Sequence, residues 1–145
     1  MNCSARKTQS HFQAIQAQSD LALLDQSATH CLALDNGAAN TVVIGAHYDH
    51  LGWGESGGSM HTGEPAIHNG ADDNASGTAA LIELAKFLKK ASNRNDGAFS
   101  KNNYLIIHFS AEELGLIGSK YWLDNPTIQA NFNYMVNMDM VGRYD

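Results

Sequence analysis

The chain has 145 residues, which is enough for one domain with a buried core. Hydrophobic residues make up 43% of it and charged residues 17%, a composition typical of globular proteins that excludes collagen, coiled coils and disordered chains. Its apolar runs are much shorter than the ~20 residues of a transmembrane helix, so no membrane span is predicted. Fifteen acidic and nine basic residues give a net charge of −6 without any basic cluster, which argues against a nucleic-acid partner.

The first part of the chain predicts one helix. Apolar side chains recur at roughly helical spacing over residues 11–25, beginning at Phe12 and ending at Leu24. Two cysteines, Cys3 and Cys31, allow one disulfide bond or two thiols, and the sequence does not choose between them.

Two short strands are predicted next, over residues 30–35 and 41–47. The Asp-Asn-Gly sequence at residues 35–37 lies between them and is typical of a hairpin turn. A glycine-rich stretch over residues 52–70 is too polar and irregular for a helix or strand. Because long loops in compact domains are usually functional or mobile, this loop is a candidate for a functional segment.

The remaining sequence alternates between helices and strands. The clearest helix has one apolar stripe, and Asp73 or Asn74 can cap its start. The strand that follows is almost continuously apolar, which is typical of a strand covered on both faces. This alternation predicts an α/β fold with a layered sheet. The predicted elements are a helix over residues 74–91, a strand over 103–110, a helix over 115–124 and a strand over 133–140.

Acidic side chains and one imidazole lie at or just after the ends of the predicted strands and where the loop enters the long helix. In open α/β sheets, ligands bind at the carboxyl ends of the strands, so we expect these side chains to converge on one edge. Six carboxylates at close range need a counter-charge, because like charges raise one another's pKa. A divalent metal supplies it, and mixed histidine and carboxylate ligands suit zinc, with manganese or cobalt as alternatives. The residues are His47, Asp49, Asp72, Asp73, Glu112, Glu113 and Asp139.

A competing motif is the Gly-x-Ser-x-Gly pattern at residues 54–58, in which Ser56 would be a hydrolase nucleophile. Such a nucleophile requires a strand before it and a helix after it. The flanking sequence predicts neither element. We therefore interpret the pattern as a chance match.

Four segments in sequence order resemble the co-catalytic two-zinc aminopeptidases, a family that includes glutamate carboxypeptidases and, more distantly, glutaminyl cyclases. The resemblance implies an α/β three-layer sandwich with a mixed, largely parallel central sheet. It also implies a zinc-dependent aminopeptidase that removes N-terminal residues from peptides, in a parent protein that is secreted or periplasmic. The segments are GAHYDHLG (45–52), NGADDNASGTAALIELA (69–85), FSAEELGLIGSKYW (109–122) and NMDMVGR (137–143).

The resemblance assigns four metal ligands. His47, Asp72, Glu113 and Asp139 match the ligands of two zinc ions, and Asp72 matches the carboxylate that bridges them. In the family, the peptide bond after the bridging aspartate is cis, so the bond between Asp72 and Asp73 is expected to be cis.

Two further residues match catalytic positions. Glu112 matches the general base that takes a proton from the metal-bound water. Asp49 matches the acid that orients the histidine ligand by fixing its tautomer and ring plane.

The chain departs from the family pattern at its end. The family's last ligand is a histidine well downstream of the fourth segment, whereas this chain ends at Asp145. We therefore expect one incomplete catalytic domain, with a helical segment over residues 1–29 and the sheet and metal site over residues 30–145. By itself it should hold at most one of the two zinc ions tightly and show little or no aminopeptidase activity.

Three other functions stay open. A carboxypeptidase like the glutamate carboxypeptidases and a glutaminyl-cyclase-like enzyme share the fold. A non-catalytic protein-binding domain is the third, and the loss of ligand residues would mark it. Every ligand position that the chain reaches is filled, which favours the enzyme.

Overall fold

The computed structural model describes residues 29–55, 58–93 and 97–143. The helix predicted over residues 11–25 lies outside the described residues, as do Cys3 and Ser56. A π-helical turn, Ala71–Ser76, directly precedes the first helix. The elements are β1 (His30–Leu34), β2 (Thr41–His47), α1 (Gly77–Asn93), β3 (Asn103–Phe109), α2 (Ile117–Asp124) and β4 (Phe132–Asn137).

The four strands form one sheet in the order β1-β3-β2-β4. Strand β2 is parallel to both of its neighbours, and only β1 is antiparallel, to β3. The mixed, largely parallel sheet is confirmed. Its central strands β2 and β3 are buried on both faces, whereas all six residues of the edge strand β4 are exposed.

The predicted hairpin between β1 and β2 is wrong, because β3 lies between them. The turn that follows β1 binds the segment leading into β3. The side-chain nitrogen of Asn36, Nδ2, donates hydrogen bonds to the carbonyl oxygens of Phe99 and Asn102. The side-chain oxygen of Asn103 accepts hydrogen bonds from the backbone amides of Asn36 and Ala38. These contacts carry the chain across the start of β3 instead of folding it back on β1.

The helices cover opposite faces of the sheet. On one face, Leu81, Ala85 and Leu88 of α1 pack against β2 and β3. On the other face, Trp122 of α2 packs against a cluster that includes Leu105. The result is a layered α/β fold, consistent with part of a three-layer sandwich. Neither helix in the described part of the chain combines the length and apolar composition needed to cross a bilayer.

Helix α1 begins three residues later than predicted. Residues Asp73 and Asn74 have non-helical backbone angles within the preceding turn, so they cannot belong to a regular helix. The expectation that Asn74 caps α1 is correct, since its Oδ1 accepts a hydrogen bond of 3.0 Å from the Gly77 amide. Residues up to Ser76 belong to the π-helical turn, so the regular helix begins only at Gly77.

The parallel strands bring their carboxyl ends to one edge. His47 is the last residue of β2, Glu112 follows β3 by three positions, and Asp139 follows β4 by two. The π-helical turn at the start of α1 lies at the same edge. This edge holds the predicted polar residues.

Candidate metal centre

Three side chains meet at this edge of the sheet. His47 Nε2 is 3.1 Å from Asp73 Oδ1 and 3.4 Å from Asp139 Oδ1. One ligand atom from each of the three lies within 4.8 Å of the others. Each residue comes from a different segment of the chain. The cluster therefore depends on the fold.

Hydrogen bonds on the side away from the cluster fix the ring and the backbone of His47. Its Nδ1 lies 3.2 Å from the backbone oxygen of Asp49. Because a carbonyl oxygen only accepts, Nδ1 carries the proton in this contact, and Nε2 of the neutral ring presents its lone pair to the cluster. The Thr78 hydroxyl donates to the backbone oxygen of His47 at 2.9 Å, which ties the end of β2 to α1.

The Nε2 atom of His47 fits a metal ligand. The residue is only 2% exposed, and Nε2 makes no hydrogen bond to any of the described residues although two carboxylates face it. A tetrahedral zinc ion bound at about 2.0–2.1 Å holds its ligand atoms about 3.4 Å apart, close to the two distances measured from Nε2. A buried, unpaired nitrogen facing two carboxylates suits a cation at their centre.

The Asp49 carboxylate does not make the contact with the His47 ring that the resemblance implied. It is 3.6 Å from His47 Nδ1, too far for a hydrogen bond. Instead, Oδ1 accepts from the Glu112 amide at 3.0 Å and Oδ2 accepts from the Glu113 amide at 3.1 Å. The backbone oxygen of Asp49 orients His47, and its side chain holds the turn that carries the two glutamates.

The clustered charges shift the pKa values of the site. Burial lowers the pKa of His47, but the surrounding carboxylates outweigh it, and the net pKa lies above the ordinary 6.5. Burial also raises the pKa of Glu112 above 4.5, and three nearby aspartates raise it further against the opposing effect of His47. The carboxylates that raise the pKa of His47 are those of Glu112, Asp139, Asp49 and Asp73.

The structure brings Asp73 to the centre, whereas the resemblance assigned Asp72 as the bridging ligand. Asp72 Oδ1 instead accepts a hydrogen bond of 2.9 Å from the Gly142 amide. The cis peptide bond is also one residue later than expected, between Asp73 and Asn74. Consecutive carboxylates in this turn point in different directions, so only one of them reaches His47.

Glu112 and Glu113 occupy different positions beside the cluster. Glu112 Oε2 is 3.9 Å from His47 Nε2. Glu113 lines a cavity of about 260 Å³ together with Asp73 and Leu51, and the glycine-rich loop contributes His68 to its wall. The pKa of Glu113 is raised by burial and then by the charges of Asp73 and Glu112. Glu113 is thus placed to contact a group bound next to Asp73 and outside the three-residue cluster.

Sequence reasoning missed the residues that hold the site in place. Asn74, Ser76 and Thr78 all bond to backbone or side chains that carry the cluster. The sequence analysis named Asn74 only as a helix cap. Small polar residues directly after an acidic pair were the available signal, but Asn74 and Thr78 bond to residues more than 30 positions away, which local sequence does not reveal.

Comparison with known proteins gives a consistent result. Residues 30–145 match the family model described as Peptidase family M28. Aminopeptidase YwaD of Bacillus subtilis is 33% identical over 107 residues, which cover 70% of this chain and 18% of that protein. Leucine aminopeptidase 1 of Ajellomyces capsulatus is 36% identical over 109 residues, covering 70% and 25%.

A third relative has a different kind of name. BOS complex subunit NCLN of Canis lupus familiaris is 31% identical over 114 residues, which cover 72% of this chain and 18% of that protein. The chain therefore spans only about a fifth to a quarter of the length of these three relatives.

Proposed function

Because the chain belongs to peptidase family M28, we propose that it forms the metal-binding part of a zinc-dependent aminopeptidase, which hydrolyses N-terminal residues from peptides. The observation that carries this proposal is the buried, unpaired Nε2 of His47 facing Asp73 and Asp139. Two relatives named as aminopeptidases support the same reaction class.

The three clustered residues would hold one zinc ion. His47, Asp73 and Asp139 provide three protein ligands and leave a position open, as in catalytic zinc sites. A zinc ion held by these three residues would supply a polarising charge for a peptide carbonyl and lower the pKa of a water molecule toward neutrality. A second cation beside Asp73 would have Glu113 as its other ligand in the described residues, so it should bind far more weakly.

Glu112 is the proposed general base. Its carboxylate lies next to the cluster but outside the three ligand atoms, and its backbone is fixed by Asp49. A carboxylate with a raised pKa accepts a proton from water more readily than an ordinary one, and the resulting acid can return that proton to the leaving amine. Its position beside the cluster fits this role.

The cavity beside the cluster favours a substrate with a free amino terminus. Its lining includes the acidic residues Asp72, Asp73 and Glu113, and no lysine or arginine lines it among the described residues. A peptide ammonium group is attracted to this wall, whereas a terminal carboxylate would need a cationic side chain to bind it. This supports an aminopeptidase over a carboxypeptidase.

Zinc titration of the metal-free chain by calorimetry tests the metal site. We expect one tight site per chain, and we expect His47→Ala to abolish it, with circular dichroism confirming that the variant is folded. Absence of tight binding by the wild-type chain would contradict the proposal. Two equally tight sites would contradict the weak second position.

The reaction is tested in the longer protein of which this chain is expected to be a part. Hydrolysis of aminoacyl-nitroanilides should stop on chelation and return with zinc. An N-acylated nitroanilide should not be hydrolysed, because it lacks the ammonium group. Cleavage of only the acylated substrate, or activity that survives exhaustive chelation, would contradict an aminopeptidase.

A second candidate is a subunit of a protein assembly without peptidase activity. The match to a protein named as a complex subunit is the observation in its favour. The same zinc titration separates the two functions, since an assembly subunit has no need for the intact set of His47, Asp73 and Asp139. We favour the enzyme because the set is intact.

A further inference from the structure

The Asn74 side chain joins the two segments that carry the metal-binding carboxylates. It is 1% exposed. Its Nδ2 donates to the Met138 carbonyl oxygen at 3.0 Å, and its Oδ1 accepts from the Met140 amide at 3.2 Å. Met138 and Met140 flank Asp139, and Asn74 directly follows Asp73. A single buried amide therefore ties together the backbones beside both carboxylates.

A second set of hydrogen bonds joins the same two segments. The Asp72 carboxylate accepts from the Gly142 amide at 2.9 Å. The Ser76 hydroxyl accepts from the Val141 amide at 3.1 Å and lies 3.0 Å from Asp72 Oδ1. We call the side chains of Asp72, Asn74 and Ser76 the clamp. All its partners on the other segment are backbone groups within three residues of Asp139.

The clamp is packed so closely that two glycines are needed beside it. A Cβ atom on Gly77 would lie 2.8 Å from Asn74 Nδ2 and 2.5 Å from the Met138 carbonyl oxygen. A Cβ on Gly142 would lie 2.9 Å from Ser76 Cβ. Gly77 has ordinary helical backbone angles, so what it provides is space for Asn74.

We propose that the clamp positions Asp73 and Asp139 for metal binding. The two carboxylates are 45% and 44% exposed, and like charges repel, so nothing in their own packing keeps both directed at His47. The clamp bonds to the backbones that flank Asp139 and leaves the carboxylate oxygens of Asp73 and Asp139 free for a metal. This inference rests on the proposed function, because it assigns Asp72, Asn74 and Ser76 as positioning residues of that site.

The test compares zinc affinity and the cobalt spectrum of the 145-residue chain and its variants. Asn74→Ala removes the whole amide, and we expect it to raise the zinc Kd by about 10- to 100-fold, the usual cost of losing a residue that supports metal ligands. The visible absorption bands of bound Co²⁺ should shift or weaken, because they report the geometry of the ligands. A general loss of stability without a change at the site would not alter that spectrum.

A matched pair at Asp72 separates the hydrogen bond from the charge. Asp72→Ala and Asp72→Asn both remove the negative charge, but only the asparagine keeps an Oδ1 that accepts from the Gly142 amide. We expect the alanine variant to lose zinc affinity by about tenfold or more and the asparagine variant to stay near the wild type. Loss of zinc affinity in both variants would show that Asp72 acts as a metal ligand or through its negative charge. Either result would contradict the clamp.

A second pair uses added volume and leaves every polar group in place. Gly77→Ala should weaken zinc binding, because the new methyl group displaces the Asn74 amide. Gly97→Ala is the control, since its Cβ would meet nothing within 4 Å. Equal effects of the two substitutions would argue against the clamp.

The possible results separate this inference from the proposed function. If the wild-type chain binds no zinc, the proposed function fails. If it binds zinc, and Asn74→Ala and Asp72→Ala leave the Kd and the cobalt spectrum unchanged, only the clamp is contradicted. If Asn74→Ala does not fold, the Asp72 and Gly77 variants decide the question.

Discussion

Two turns at the same edge of the sheet each carry a pair of consecutive carboxylates, and the fold uses them differently. In the first turn, Asp73 faces His47, whereas Asp72 points away and accepts a hydrogen bond from the Gly142 amide. In the second turn, Glu112 and Glu113 both lie beside the cluster, because the Asp49 carboxylate accepts hydrogen bonds from both of their backbone amides.

The difference shows that the groups to which a turn is hydrogen-bonded determine whether its carboxylates are free to bind a ligand. The first turn is bound through its own side chains to the segment after β4, so one member of its acidic pair becomes structural. The second turn is bound through its backbone, which leaves both glutamates available for chemistry. Consecutive acids therefore do not share a role merely because they are adjacent.

The largest effect is expected within the second turn. In the longer protein, Glu112→Gln should lower kcat for an aminoacyl-nitroanilide by about two to four orders of magnitude, the range that general-base catalysis supplies. Zinc content, measured by atomic emission, should stay unchanged because Glu112 is not proposed as a ligand. Glu113→Gln is the matched variant and should reduce zinc content instead. An exchange of these phenotypes would reverse the roles of the two glutamates.

The first turn should show the next largest contrast. Asp73→Asn removes a proposed ligand charge and should weaken zinc binding by more than the roughly 10- to 100-fold that a supporting residue costs. Asp72→Asn makes the same chemical change one position earlier and should have little effect. Calorimetric titration of both variants measures this difference. Stronger loss in the Asp72 variant would restore it as the bridging ligand.

Asp49 tests how the second turn is held. Asp49→Asn replaces one carboxylate oxygen with an NH2 group, which faces the backbone N–H of Glu112 or Glu113. One of these two donors therefore loses its acceptor. We expect the metal-free chain to lose about 1–3 kcal/mol of stability in urea unfolding, the cost of an unsatisfied polar group in a protein interior. Asp35→Asn, at an exposed turn, serves as the control. Equal stability of the two variants would show that the Asp49 hydrogen bonds contribute little.

The smallest effect is the pH dependence of the metal-free chain. The folded-state pKa of His47 is raised, so its protonated form stabilises the fold at pH values below about 6.5, the unfolded value. That stabilisation is lost as the pH rises through the folded pKa. Urea unfolding with a chelator should therefore show a contribution of His47 to stability that falls as the pH rises above about 6.5. His47→Gln should show a flatter profile, and identical profiles would contradict the raised pKa.

Much of the fold was readable from the sequence alone because local pattern determines it. The continuous apolar run in β3 predicted a buried strand, and the stripe that includes Leu81 and Leu88 predicted a helix on the sheet. The positions of His47, Glu112 and Asp139 at or just after strand ends predicted their convergence, since parallel strands share one carboxyl edge. These inferences need only periodicity and chain order.

The pairing of the strands was decided by tertiary contacts. An Asp-Asn-Gly sequence is compatible with a hairpin, but Asn36 binds the segment before β3, and β3 lies between the two strands. The preference of a turn sequence is worth less than the hydrogen bonds and buried area that a central strand supplies. Local chemistry alone could not reveal this competition.

The identity of the central aspartate also depended on the tertiary structure. Asp72 and Asp73 are chemically identical neighbours, and the residue types alone do not separate them. Their roles separate only because backbone amides more than 60 positions away, at Met140 and Gly142, are held by Asn74 and Asp72. The sequence by itself determined that carboxylates and an imidazole gather at one edge, and the long-range hydrogen bonds decided which carboxylate faces His47.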